Sequence, residues 1–288
     1  MNPQNRQNSG SQETQFEIVE FSAAGSETRN DLVVTEEPVE IRIVFGTAND
    51  RAMRSVSITM RTPGNDQELA AGFLMAEGIL THREQMVGFK TLGQDSEGRA
   101  TGNIVRIDVA SDVQLDVGRL QRNFLTSSSC GVCGKASLEA LEMQGLEPIK
   151  GDGFKIKSAS VRGLSAGLRL HQKTFSRTGG LHAAGLFGPA GSVVSTREDV
   201  GRHNAVDKLI GRCFLDGQTL LSKYGMMVSG RVSFEIMQKA LVAGLPMVVA
   251  VGAPSSLAVE MARQYNMTLI GFASPERFNV YAGRERIE

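Results

Sequence analysis

An α/β protein is predicted: a mixed, largely parallel sheet with helices on both faces, joined to a smaller N-terminal α+β unit. From Gly225 to Phe272, short apolar runs alternate with helix-length segments. That β-α-β-α-β order implies right-handed crossovers and a parallel sheet. From Phe16 to about Leu125 apolar residues recur instead with period two, interrupted by one helical segment. The chain has 288 residues, of which 41% are apolar and 22% charged, enough for one large core or two ordinary ones.

Residues 1–15, rich in Asn, Gln, Ser and Gly, read as a disordered tail with neither a signal sequence nor a membrane anchor. Residues 16–125 form the α+β unit. Its strands are Phe16–Phe21, Val39–Val44, Arg54–Met60, Ile104–Val109 and the Val113-Leu115-Val117 alternation. Its helix is capped by Asp66, runs through Glu68–Glu77 and stops at Gly78. Residues 126–288 hold the cysteine loop and the α/β layer. After a short helix over Ala136–Met143, Leu181–Phe187 and Ser192–Thr196 flank Gly188-Pro189-Ala190-Gly191 as a hairpin, and Val200–Phe214 is a helix. Then follow a strand at Gly225–Ser229, a helix at Phe234–Ala243 closed by Gly244, a strand at Met247–Val251, a helix at Ser256–Gln264, a strand at Thr268–Phe272 and a last strand at Phe278–Tyr281.

Lys+Arg and Asp+Glu number 31 each, so no global field draws nucleic acid or an anionic membrane. The longest apolar run, Pro246–Val251, is too short to span a bilayer. Three cysteines are no disulfide framework and fit a reducing cytoplasm.

Two of those cysteines dominate the chemistry: Thr126-Ser127-Ser128-Ser129-Cys130-Gly131-Val132-Cys133-Gly134-Lys135 is small, polar and glycine-marked, with no bulky side chain to shield either sulfur. The following helix N-terminus and Lys135 favour a thiolate. A structural zinc site needs about four ligands, and the chain offers only Cys213, on an apolar helix face, and four scattered histidines. A thioredoxin-like motif belongs between the first strand and helix of its domain, whereas more than a hundred residues precede this one. A zinc deaminase needs His-x-Glu and Pro-Cys-x-x-Cys; Ser129, not proline, precedes Cys130, and His182 is followed by Ala183-Ala184 with no glutamate. Structural metal, inert thiols and a cysteine that carries a group stay open, and the last fits the loop best: its glycines let the sulfur swing, and a second thiol can resolve a loaded first one by exchange.

In parallel sheets, ligands sit at the carboxyl ends of strands. Ser229-Gly230-Arg231-Val232-Ser233 and Gly252-Ala253-Pro254-Ser255-Ser256 occupy such ends on neighbouring strands. Both either hold phosphate oxygens at helix starts or are ordinary turn and cap chemistry. Asp199, Arg202, His203 and Asp207 surround another helix start, either to orient a loop or relay a proton, or as capping and dimer-face contacts. His82 and His171 read as surface residues.

Several of these segments, in this order, resemble the FdhD family, the formate dehydrogenase accessory sulfurtransferases. They are Ser128–Lys135, Met60-Arg61-Thr62-Pro63-Gly64, Glu68–Gly78, Thr178-Gly179-Gly180-Leu181-His182-Ala183-Ala184, Arg197–Lys208 and Ser229-Gly230-Arg231. The resemblance covers the chain from about Phe16. It implies a cytidine-deaminase-like α/β domain without the deaminase zinc set and with no permanently bound metal, a homodimer, and sulfur transfer through a Cys130 persulfide, with Cys133 as the second cysteine. A cysteine desulfurase is the implied donor. The implied acceptor is the molybdenum (or tungsten) bis-molybdopterin guanine dinucleotide cofactor, sulfurated before insertion into formate dehydrogenase. The family's cofactor contact maps onto Phe272, Ala273, Ser274, Pro275, Glu276 and Arg277; on this reading the Ser229-Gly230-Arg231 turn and the Pro254-Ser255-Ser256 helix start meet the cofactor's pyrophosphates and guanines beside Arg277. Pro275-Glu276 departs from the glycine-containing, basic pattern of that segment and places a carboxylate where a phosphate approaches; Arg277 keeps a cation. The alternative is a chaperone that binds the cofactor without a covalent sulfur step.

Overall fold

The computed structural model describes residues 11–47, 49–94, 100–111, 113, 145–150 and 153–288. Cys130, Cys133, the helix expected over Ala136–Met143 and the positions of the Val113-Leu115-Val117 alternation beyond Val113 lie outside them. The strands are β1 Glu13–Ser22, β2 Gly25–Val34, β3 Glu37–Thr47, β4 Asp50–Arg61, β5 Met86–Gln94, β6 Ala100–Val109, β7 His182–Phe187, β8 Val193–Asp199, β9 Gly225–Val228, β10 Met247–Ala250, β11 Thr268–Gly271 and β12 Asn279–Ala282. The helices are α1 Asp66–Ala76, α2 Ser158–His171, α3 Lys173–Thr178, α4 Arg202–Leu215, α5 Phe234–Val242 and α6 Ser256–Gln264.

Two sheets organise the chain. The smaller has the order β4-β3-β6-β5, with β3 parallel to β6 and antiparallel outer pairs. The larger has the order β12-β11-β10-β9-β7-β8, in which β9, β10 and β11 are parallel and antiparallel strands occupy both sides. The largely parallel expectation therefore holds for the central strands, and the sheet as a whole is mixed. β9, β10 and β11 are fully buried, as strands covered on both faces should be.

One face of the larger sheet carries α4, α5 and α6. The other is sealed by α2, whose Val161, Leu164 and Leu168 pack with Phe154, Phe187, Met247 and Ile270. α1 is buried nearly all round because it lies between the smaller sheet and α4. A single hydrophobic cluster runs from Val39, Ile41 and Ile107 through Leu69 and Leu74 to Val206, Leu209 and Met226, so the two sheets share one core.

α1 and α4 cross at two glycines. A Cβ on Gly72 would fall inside the radius of the Asp207 carbonyl oxygen, and one on Gly211 inside that of the Glu68 carbonyl oxygen. A buried polar network crosses the same junction. Lys208 and Asp199 pair at 2.7 Å, both fully buried. Asp199 also accepts from the backbone N–H groups of Thr62 (3.2 Å) and Gly201 (2.8 Å) and from Asn204 Nδ2 (3.1 Å). Lys208 Nζ donates to Thr62 O (2.8 Å), and Asn204 Nδ2 to Met60 O (2.8 Å). Arg197 bridges to Glu68 of α1 at the rim (2.8 Å).

Two local expectations change. β1 begins at Glu13, inside the segment expected to be tail, and pairs with β2 along its length. The base of this ribbon is tied to α3 through Gln12 Oε1, which accepts from Thr174 Oγ1 (3.0 Å). Asp66 is not the cap of α1: Asn65 holds that position in a left-handed conformation, φ 57°. The Asp66 carboxylate instead pairs with the buried Arg61 (2.9 Å), a stronger electrostatic demand than one N–H donor.

Gly211→Ala is expected to destabilise the protein by about 3 kcal/mol, opposite to the usual gain for Gly→Ala within a helix, because the added carbon meets backbone. Chemical denaturation of Gly211→Ala beside Gly163→Ala, where a Cβ meets nothing within 4 Å, checks the sign at both sites.

Candidate functional site

The parallel strands β9, β10 and β11 present their carboxyl ends along one side of the sheet, and the start of the antiparallel β7 lies there too. Hydrogen bonds knit the loops from these ends. Ser229 N–H donates to Ala183 O (2.9 Å), and Ser229 Oγ accepts from Ala183 N–H (2.9 Å). Gly252 N–H reaches Gly230 O (3.1 Å), Ser255 N–H reaches Val232 O (2.9 Å), and Phe272 N–H reaches Gly252 O (3.1 Å). The structure thus brings together Ser229, Gly230 and Arg231 with Phe272, Ala273, Ser274, Pro275, Glu276 and Arg277, and with the Gly252–Ser256 turn.

Their side chains have different tasks. Ala273 is buried in the core and offers no side-chain surface. Ser274 shapes its own turn: its hydroxyl accepts from the N–H groups of Glu276 (3.3 Å) and Arg277 (3.2 Å). The Ser274 hydroxyl is also the main reason the Glu276 carboxyl lies below its ordinary value. Pro275, Glu276, Arg277 and Arg231 are exposed. Phe272 is exposed and held at φ 53°, a conformation that a bulky residue adopts only where its surroundings enforce it. Ser255 accepts from Ala258 N–H (3.3 Å), so its hydroxyl caps α6 in the ordinary way.

Beside these loops lies a cavity of about 640 Å³ walled by Ser165, Leu168 and Arg169 of α2, Phe175 of α3, Gly179, Gly180, His182, Ser229, Val251 and Pro275. Its size is that of a small-molecule or nucleotide site. Arg169 stacks over the Phe175 ring, 3.9 Å from its centroid, and Glu198 of β8 caps α3 by accepting from the N–H groups of Thr174 (3.1 Å) and Phe175 (2.9 Å). Sequence reasoning missed α2 and His182 as wall elements. The signals were present in the Val161/Leu164/Leu168 spacing and in the double glycine just before His182.

The Asp199, Arg202, His203 and Asp207 cluster divides in two. Asp199 belongs to the buried network above. Asp207 turns to Lys239 of α5 (2.7 Å), and burial pushes its carboxyl up while Lys239 pulls it down. Arg202 and His203 face the strand ends. His203 Nε2 meets Ser233 Oγ at 3.1 Å, and Ser233, at the N-cap of α5, makes no side-chain cap bond. Burial, then the Arg202 guanidinium, lowers His203 to about 4, and the same two causes lower His182. Both imidazoles are therefore neutral at pH 7. Cys213 is buried on α4, and burial raises its thiol to about 11, as suits an inert apolar position. His82 and His171 are exposed.

Because the folded state keeps His203 neutral while the unfolded chain takes a proton near 6.5, stability falls as pH drops from about 6.5 to about 4. The full loss is on the order of 3 kcal/mol, and His182 adds to it in the same direction. Denaturation curves at pH 7 and pH 5 check this: His203→Gln should show a shallower pH dependence than the parent chain.

The profile of the FdhD/NarQ family matches residues 34–288. The sulfur carrier protein FdhD of Mycobacterium bovis is 46% identical over 264 residues, covering 90% of this chain and 93% of that protein. The sulfur carrier protein FdhD of Streptomyces coelicolor is 44% identical over 272 residues, 94% of each chain. A crystal structure from Desulfotalea psychrophila, described as a formate dehydrogenase accessory protein, superposes with a TM-score of 0.71 at 22% identity, over 96% of this chain and all of that one, and shows the same fold. With a family match across both sheets and relatives this similar over nine-tenths of its length, the chain belongs to the FdhD/NarQ family.

Proposed function

We propose that this chain is a cytoplasmic sulfur carrier, active as a homodimer, that serves the maturation of formate dehydrogenase. The observation that carries the reading is the Cys130-x-x-Cys133 pair inside a span matched by relatives named sulfur carrier proteins. The Cys130 thiolate attacks the outer sulfur of a persulfide on a cysteine desulfurase. One S–S bond forms on Cys130 as the donor's S–S bond breaks, and the donor leaves as a thiolate. Lys135 and the small residues of the loop favour the thiolate form.

The substrate that receives the sulfur is the molybdenum bis-molybdopterin guanine dinucleotide cofactor, held at the strand ends. Three features support that placement: the 640 Å³ cavity, the exposed Phe272 ring suited to stacking on a base, and the cations, with Arg169 on the cavity wall and Arg231 and Arg277 exposed on the strand-end loops. Glu276 opposes a phosphate at its own position, so the phosphates are assigned to the Arg169 and Arg231 sides. The finer fold assignment, a cytidine-deaminase-like scaffold, belongs to this proposal; the β9-α5-β10-α6-β11 order with helices on both faces supports it.

The cavity is built without either loop cysteine, which keeps one alternative in play: a chaperone that binds the cofactor and moves no sulfur. Mass spectrometry of the full chain after incubation with a cysteine desulfurase and cysteine separates the two. The carrier gains one sulfur atom on the peptide holding Cys130 and loses that gain in Cys130→Ala. An unmodified peptide in the parent chain refutes the carrier and favours the chaperone.

A further inference from the structure

We propose that Arg202, His182 and His203 form a subsite for a monovalent sulfur anion, hydrosulfide, on the wall between the cavity and the N-termini of α4 and α5. The choice of ligand rests on the carrier reading. When the Cys133 thiolate attacks the inner sulfur of a Cys130 persulfide, a Cys130–Cys133 disulfide forms and the outer sulfur leaves with its proton as hydrosulfide; a cellular dithiol then reduces the disulfide. A carrier using this route must keep the released anion from bulk water.

Gly230 fixes the geometry. A Cβ there would lie 3.2 Å from His182 Nδ1 and 3.9 Å from Arg202 Cβ, so both side chains flank the same bare backbone. His182 and Ser229 also line the cavity, so the cluster borders it on the His182 side. Arg202 Nε is buried and has no hydrogen-bond partner, an unmet donor on a cation that an anion satisfies. α4 starts here with Gly201 at its N-cap and no side-chain cap bond, whereas in α5 the Ser233 hydroxyl is turned to His203 and the Glu235 carboxylate takes its own backbone N–H. Both imidazoles are neutral at pH 7 and can donate an N–H without adding a second charge.

The charges select the anion. The Arg202 guanidinium acts on both imidazoles; Lys239 also lowers His203 and Glu235 raises it, while Asp199 raises His182. Lys239 is already paired with Asp207 and Asp199 with Lys208, which leaves Arg202 as the cation and Glu235 as the carboxylate nearest the imidazoles. One guanidinium with one carboxylate nearby matches a single soft charge, which gives up water more readily, better than a doubly charged phosphate.

The test titrates hydrosulfide, and separately inorganic phosphate, into full-length Cys130→Ala/Cys133→Ala protein while imidazole NMR resonances are followed. Hydrosulfide should shift His182 and His203 with saturation, leave His82 and His171 unmoved, and bind more tightly than phosphate. Arg202→Gln should weaken binding about tenfold or more, and His182→Gln should weaken it as read from His203. Unsaturated or equal shifts at all four histidines, tighter phosphate binding, or unchanged affinity in both variants would each overturn the subsite. Because the background lacks both loop cysteines, these outcomes are read independently of sulfur loading, so a failure of the carrier reading shows itself only in the mass measurement.

Discussion

Removing Asp199 and Lys208 from water together is the demand around which the two halves of this fold are arranged. A carboxylate and an ammonium, each fully buried, are stable only if their attraction and their hydrogen bonds replace the lost hydration. The chain meets that demand from both sides of the junction. The Thr62 N–H and carbonyl come from the segment after β4, while Gly201 and Asn204 come from the start of α4. Neither sheet can satisfy the pair alone. The two glycines at the α1–α4 crossing bring the backbones close enough for these bonds to form, and the Arg197–Glu68 pair closes the rim.

The site inherits its geometry from that junction. α4 begins at Arg202, three residues after Asp199, so a helix start pinned at Asp199 also pins Arg202 and His203 against β7 and the Ser229–Gly230 turn. From the other side, the cavity wall depends on α2 sealing the second face of the sheet and on Glu198 capping α3. Residues 114–144, with both loop cysteines, link Val113 in the shared core to Ile149, whose N–H donates to Tyr265 O (2.9 Å).

Much of the larger sheet was legible in the sequence, since strands buried on both faces read as unbroken apolar runs. Met226–Val228, Met247–Ala250 and Thr268–Gly271 fall where those runs predict, and α6 matches Ser256–Gln264 at both ends. Elements with mixed faces were harder. β2 is polar at most positions and holds its place by pairing with β1. α2 carries interior Gly163 and Gly167 and has no side-chain cap, so propensity argued against a helix whose reason is the apolar sheet face it covers. The strand-end rule located the Ser229–Arg231, Gly252–Ser256 and Phe272–Arg277 loops. It could not show that Ala273 faces the core, that Ser255 is spent as a cap, or that His182 joins the wall. The Thr62–Asp199 contact spans 137 residues and leaves no local pattern to read.

A double-mutant cycle on Asp199 and Lys208, followed by chemical denaturation at pH 7, tests the clamp most directly. Asp199→Ala and Lys208→Ala should each cost about 3–5 kcal/mol, because each strands a buried charge. The double variant should lose well under the sum of the two, leaving a coupling energy of about 2 kcal/mol or more. Single losses below about 1 kcal/mol, or strictly additive ones, would show that the two sheets are held together by their shared apolar core and not by this pair.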